Sequence, residues 1–191
     1  MTKEKKLEKL NKEWSQKIKS PLLKTCNQIV VGDGNPNADI IIIGEAPGKK
    51  EDESGQPFVG AAGKFLDQML DNINLKRDNI YITNIVKCRP PNNRDPLPQE
   101  KEGFWPWLLD EINLIKPKLI ITLGRHSLSN FIENPIISQV HGTIVDKNIP
   151  KIGAIKIYAL YHPAAALYNG SMRETLIKDF KKIPKILKSI D

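Results

Sequence analysis

Glu45 and His162 carry the most chemistry in this chain. Glu45 lies in IIIIGEAPG (Ile40–Gly48), held between glycines at the end of an unbroken apolar run. His162 lies in IYALYHPAAA (Ile157–Ala166), followed by proline at the end of another run. Two more apolar runs end in polar residues: YITNIVKCRPP (Tyr81–Pro91) and KLIITLG (Lys118–Gly124). A carboxylate and a histidine delivered to the same end of one sheet are the minimal equipment of a hydrolytic site.

Other chemistries fail on spacing. Gly44 to Lys49 superficially suggests a phosphate loop, but three residues separate its glycines and Lys50 follows the lysine. A Walker A loop needs four residues there, and Ser or Thr after the lysine. Gly32 and Gly34 lack the third glycine of a dinucleotide fingerprint. No His/Cys cluster has zinc spacing, and no serine sits in a nucleophile elbow. No metal site is expected, and a nucleotide-binding α/β protein is disfavoured.

These residues need a scaffold, and hydrophobic periodicity supplies one. Leu7, Leu10, Trp14 and Ile18 predict a helix over the first twenty residues. Ile29–Val31 reads as a short strand ended by the turn cluster Gly32–Pro36. Ile40–Ile43 reads as a strand covered on both faces. Ala62, Phe65, Leu66, Met69, Leu70 and Ile73 form one stripe of a helix over Ala61–Ile73. Tyr81–Val86 reads as a second central strand, Pro98–Ile115 as a helix stopped by Lys116-Pro117, and Leu119–Leu123 as a third strand. A short helix runs on through Phe131. Thr143–Val145 reads as an outlying strand and Ile155–Leu160 as a fourth central one. Ser171 is expected to cap a final helix, with Glu174 at the capping-box position. The alternation predicts an α/β fold of three layers, α/β/α, around a central four-stranded, mainly parallel sheet. Residues 1–191 are expected to form a single domain. In such sheets ligands bind beyond the carboxyl ends of the strands, where all four runs put their polar residues.

Composition narrows the partners. The 191 residues are 40% hydrophobic and 27% charged, ordinary for a globular protein with a real core. The net charge of +7 points to a polyanion, nucleic acid before membrane. Residues 1–24 hold eight lysines against three glutamates. The N-terminus lacks the apolar core of a signal peptide, and the four isoleucines are too short to span a bilayer. A cytoplasmic, DNA-associated monomer without membrane contact is expected. Two cysteines, Cys26 and Cys88, fit a reducing compartment.

The string GEAPGKKEDESGQPFVGAAGKFLDQML (Gly44–Leu70) resembles motif A of the family 4 uracil-DNA glycosylases. The resemblance continues through YITNIVKCRPPNNRDPLPQE (81–100), PKLIITLG (117–124) and YHPAAALYN (161–169), and covers the chain from about residue 17 to residue 187. Family 1 enzymes resemble GQDPY where this chain has GEAPG. The resemblance implies uracil-containing DNA, single- or double-stranded, as partner. Cleaving the bond between uracil and deoxyribose develops positive charge on the sugar and negative charge on the base. The resemblance gives Glu45 the water and the sugar cation, and gives His162 a hydrogen bond to uracil O2. It makes Phe58 the stacking surface and Asn84 the reader of the uracil edge. Backbone at Gly44, Ala46 and Gly48 would complete the pocket. The base must leave the stack, which calls for a wedge and phosphate clamps. Lys87, Arg89 and Arg94 are the expected phosphate contacts. The loop carrying Ala166, Leu167 and Tyr168 is the expected wedge, with Leu167 at its point. His126 and His141 lack such context and read as structural.

The chain also departs from the family. Members typically hold a 4Fe–4S cluster on four cysteines; those positions here read Lys17, Ser20, Cys88 and Phe104. Cys26 falls where the family shows arginine. Two cysteines cannot supply four thiolates, so no cluster is expected. Phe104, Trp105 and Trp107 are expected to fill its volume. His141-Gly142 stands where relatives often have Arg-Gly. A related branch traps uracil-DNA covalently through a histidine in an inserted loop, and no such insertion follows Arg94. The leading expectation is a monofunctional uracil-DNA glycosylase that starts base-excision repair. Its rivals are a glycosylase for hypoxanthine or xanthine and a non-catalytic DNA-binding protein of the same fold.

Overall fold

The computed structural model describes residues 1–190. Helix α1 (Lys3–Lys17) leads through a short 3-10 turn to β1 (Asp33–Gly34) and β2 (Ile40–Gly44). Next come α2 (Lys49–Ser54), α3 (Ala61–Asp71), β3 (Tyr81–Asn84), α4 (Pro98–Ile115) and β4 (Leu119–Leu123). Two short helices, α5 (Arg125–Leu128) and α6 (Ile137–Val140), precede β5 (Ile144–Ile149) and β6 (Gly153–Leu160). The chain closes with α7 (Ala165–Tyr168), α8 (Gly170–Phe180) and α9 (Ile183–Ile190).

The sheet order is β1-β3-β2-β4-β6-β5. The four inner strands run parallel, and β1 and β5 are antiparallel edges. The isoleucine run shows why both faces must be covered. Alternate side chains of a strand point to opposite faces. Ile41 and Ile43 therefore enter one core with Trp107, Leu108 and Ile112 of α4. Ile40 and Ile42 enter the other with Phe65 and Leu66 of α3 and Leu176 of α8. The result is the three-layer α/β/α arrangement. β2 connects to β3 on one side, and the chain then crosses back to β4 on the other. The crevice at the carboxyl ends of β2 and β4 is therefore a topological switch point.

Several expectations change. The four central parallel strands stand as expected, and two antiparallel edges, β1 and β5, bring the sheet to six. Ile29–Val31 forms no strand: Val30 gives one hydrogen bond to the Lys87 carbonyl, and pairing starts at Asp33. β3 ends at Asn84, two residues early. Asn169, not Ser171, caps α8, its Oδ1 accepting the Ser171 N–H at 3.0 Å. The final helix is two helices, α8 and α9. Among the described residues no helix is long and apolar enough to cross a membrane.

Candidate active site

A cleft of about 330 Å³ opens at the switch point, lined by Glu45, Ala46, Gly48, Phe58, Asn84 and His162 among others. The four segments singled out by sequence thus meet, three of them directly in this cleft. Asn84 ends β3 beside Gly44, its register partner on β2. Its side chain is 1% exposed, yet neither its Nδ2 nor its Oδ1 has a partner. Buried amides are normally satisfied, so an orphaned one beside a cleft marks a place for a ligand. Gly44 is required here: a Cβ would lie 2.4 Å from Asn84 Oδ1 and 2.5 Å from Phe58 Cζ.

Phe58 sits almost fully buried with a left-handed φ of 55°. That conformation is uncommon for a bulky residue and must be held from outside. Arg77 does so, its guanidinium donating to the Phe58 carbonyl at 3.0 Å and to the Pro57 carbonyl. Glu51 fixes the next residues: one carboxylate oxygen accepts Val59 N–H at 2.9 Å and Gly60 N–H at 2.7 Å. Its other oxygen accepts Gly48 N–H at 3.1 Å, tying the GEAPG turn to the PFVG turn. The Phe58 ring stands 6.0 Å from the His162 ring at 29°.

His162 is held as a neutral donor. Burial pushes its pKa down to about 4, against a smaller upward pull from Glu51. Its Nδ1 accepts the Ala164 N–H at 3.1 Å. The single proton of the neutral ring therefore sits on Nε2, which is free to donate. Glu45 moves the other way. Burial and then the Asp95 carboxylate push its pKa up to about 7, while Lys101 and Arg125 pull it down. Asp95 in turn lies 2.9 Å from His126 Nε2.

The expected site residues did not include Glu51, Arg77 or Asp95, and His126 was expected to be structural. Glu51 left one signal: it stands three residues after Gly48, the returning position of a capping box. Arg77 left none, because it reaches the loop from nineteen residues away in sequence.

The model of the uracil-DNA glycosylase superfamily matches residues 31–188. The chain belongs to the uracil-DNA glycosylase superfamily. It is 46% identical over 175 residues to the type-4 uracil-DNA glycosylase of Archaeoglobus fulgidus, covering 88% of this chain and 86% of that one. It is 48% identical over 187 residues to the type-4 enzyme of Sulfurisphaera tokodaii, covering 94% and 84%. A type-5 uracil-DNA glycosylase of Pyrobaculum aerophilum is more distant, 28% identical over 149 residues, covering 69% and 63%.

Within this glycosylase-superfamily fold the expected DNA-facing residues divide. Lys87 is fully buried and cannot meet phosphate; its Nζ lies 2.5 Å from Glu111 and also donates to Thr83 Oγ1 and the Asn84 carbonyl. Ala166 is packed in the core at 6% exposure and cannot touch DNA. Arg94 holds Glu100 with both guanidinium nitrogens, at 2.9 and 2.7 Å, so its fork is already engaged. Arg89 donates to Asn93 on the same loop. Leu167 is 41% exposed and Tyr168 is 91% exposed. His141 is bound to Asp179 at 2.7 Å.

The four positions that the resemblance assigns to cluster ligands hold Lys17, Ser20, Cys88 and Phe104. Lys17 is exposed near Glu13, at 3.8 Å. Ser20 caps the 3-10 turn, accepting Leu22 N–H. Phe104 is buried and stacks on Trp107 at 6.3 Å. Cys88 is buried, and burial with the neighbouring Cys26 pushes its thiol well above its ordinary pKa. Of the four positions only Cys88 carries sulfur.

Proposed function

We propose that this protein is a monofunctional uracil-DNA glycosylase that hydrolyses the N-glycosidic bond of uracil in DNA and so opens base-excision repair. The observation that carries the reading is the orphaned Asn84 amide at the floor of a cleft walled by Phe58 and His162. An amide donates to uracil O4 and accepts from N3–H; cytosine presents the opposite pattern and would leave both groups unpaired. Relatives named type-4 uracil-DNA glycosylases, matching over most of both chains, support the same reading.

The chemistry follows from the geometry. As the bond to the sugar C1′ breaks, its electron pair leaves on uracil and the charge reaches O2. A neutral Nε2–H of His162 stabilises that oxygen without transferring a proton. Ionised Glu45 offsets the sugar cation, orients water toward C1′ and takes its proton. The products are free uracil and an abasic site. Lys87, sealed against Glu111, is unavailable as a Schiff-base amine, which favours hydrolysis over lyase action. The exposed Leu167 and Tyr168 are proposed to fill the gap left by the base. The protein is read as cluster-free, since three of the four ligand positions lack sulfur, and as a monomer of one domain.

The test is an oligonucleotide assay with one U, hypoxanthine or xanthine, in single and double strands, followed by alkaline cleavage. Product on uracil alone is expected. Glu45→Ala and Asn84→Ala should each lower kcat/KM by about 10²–10⁴. Cleavage of hypoxanthine or xanthine instead would reassign the substrate, and no product on any base would leave a binding protein.

A further inference from the structure

Three polar groups from three separate segments meet at the switch point. Glu45 follows β2, Asp95 lies in the loop before α4, and His126 sits on α5 after β4. A carboxylate oxygen or ring nitrogen from each lies within 4.8 Å of the other two. His126 Nε2 is 2.9 Å from Asp95 Oδ2, and Arg125 approaches the same oxygen to 3.8 Å. Both Glu45 and Asp95 line the cleft that holds Asn84 and His162. Asp95 is therefore a second carboxylate at the reaction mouth, moored by two cationic or hydrogen-bonding groups of α5.

We propose that Asp95 is a positioning residue that acts through Glu45, making the Glu45 carboxylate a stronger base for the attacking water. The proposal rests on the glycosylase reading of the cleft. Two carboxylates this close cannot ionise independently, and the more buried one holds its proton longer. Glu45 is the more buried; the Asp95 side chain is 62% exposed. A general base works best when its pKa lies near the working pH, and burial with Asp95 places Glu45 at about 7. The other charged or titratable groups around Glu45 are Lys101 of α4 and Arg125 and His126 of α5, with Glu51 of α2 and neutral His162 after β6 lining the same cleft. Lys101 and Arg125 oppose Asp95, so the value is a balance of named charges. His126 serves the same pair: its Nε2 lies 2.9 Å from the Asp95 oxygen, and burial lowers its pKa against an upward pull from Asp95.

Each charge makes a signed prediction about the acid limb of kcat/KM, where Glu45 loses activity by protonation. Asp95→Asn removes the neighbouring negative charge and should move the limb down by about half to one pH unit. Above the limb the same variant should be slower by about 2- to 5-fold, because the base is weaker and its Brønsted slope lies below one. Asp95→Glu keeps the charge and should keep the limb. Arg125→Gln should move the limb up. A residue that merely shapes the loop would lower the rate at every pH and leave the limb still, and that result overturns the proposal. Carbon-13 NMR titration of the Glu45 carboxyl in wild type and Asp95→Asn reads the same shift without DNA. A wild type inactive on uracil would therefore sink the glycosylase reading, while an unmoved Glu45 titration would sink this one.

Discussion

Glu45 and His162 were legible in sequence as a pair, but their charge states were not. Each owes its state to burial, which depends on packing from distant segments. The two shifts are opposite and of similar size: Glu45 from 4.5 to about 7, His162 from 6.5 to about 4. The stability consequences have opposite signs. Folded Glu45 holds a proton that the unfolded chain releases between 4.5 and 7, so its contribution is full below 4.5 and is lost as pH rises through 7. Folded His162 refuses a proton that the unfolded chain takes up between 6.5 and 4, so its contribution is full above 6.5 and is lost as pH falls through 4. Over the shared window the two nearly cancel. Glu45→Gln should therefore uncover the histidine, making the protein about 1–3 kcal/mol less stable at pH 4.5 than at pH 7.5 relative to wild type. His162→Gln should uncover the opposite trend. Urea unfolding at the two pH values measures both; parallel trends in the two variants would contradict the assignment.

At the scale of elements, the parallel strands and the long helices were readable because each carries its own period. The isoleucine run announced a strand buried on both faces, and the structure divides it between two cores. What escaped was pairing over long sequence distance. The edge strand β1 is only two residues long, too short for alternation to register. Lys87 misled for the same reason: a lysine in a basic loop reads as exposed, and its partner Glu111 lies on α4. Tyr81 and Thr83 of β3 also donate to that carboxylate, so the pair ties the strand that carries Asn84 to the helix behind it. Removing one partner leaves a buried, uncompensated charge. Lys87→Met should cost about 3–5 kcal/mol and lower activity with it. Lys87→Met with Glu111→Gln removes both charges, keeps an acceptor for Tyr81 and Thr83, and should recover most of that stability. A double mutant as unstable as the single would show that packing, not charge, dominates there. Chemical unfolding of the four-member cycle decides between them.

For the whole molecule, the question is what ties the N-terminal segment to the sheet. A cluster would tie together residues near positions 17, 20, 88 and 104, of which only Cys88 carries sulfur. An aromatic and polar seam occupies the same region. Trp14 of α1 stacks on Trp107 of α4 at 6.3 Å, and Phe104 stacks on the same ring. The indole nitrogens cross between helices: Trp14 donates to Asp110 at 3.0 Å, and Trp107 donates to Asn11 at 3.1 Å. Sequence periodicity showed α1; it could not show that α1 lies on α4, because that contact spans 96 residues of chain. If the seam is the tie, Trp14→Ala should destabilise by about 2–4 kcal/mol through lost packing and a lost hydrogen bond. Cys88→Ser, a small change at a buried thiol, should cost about 1–2 kcal/mol and leave uracil excision within a few-fold of wild type. A cluster protein would behave in the reverse order. Cys88→Ser would then bleach visible absorbance, release iron and collapse the N-terminal segment, while Trp14→Ala would be mild. Metal analysis, absorbance and thermal unfolding of both variants, measured together, separate the two architectures.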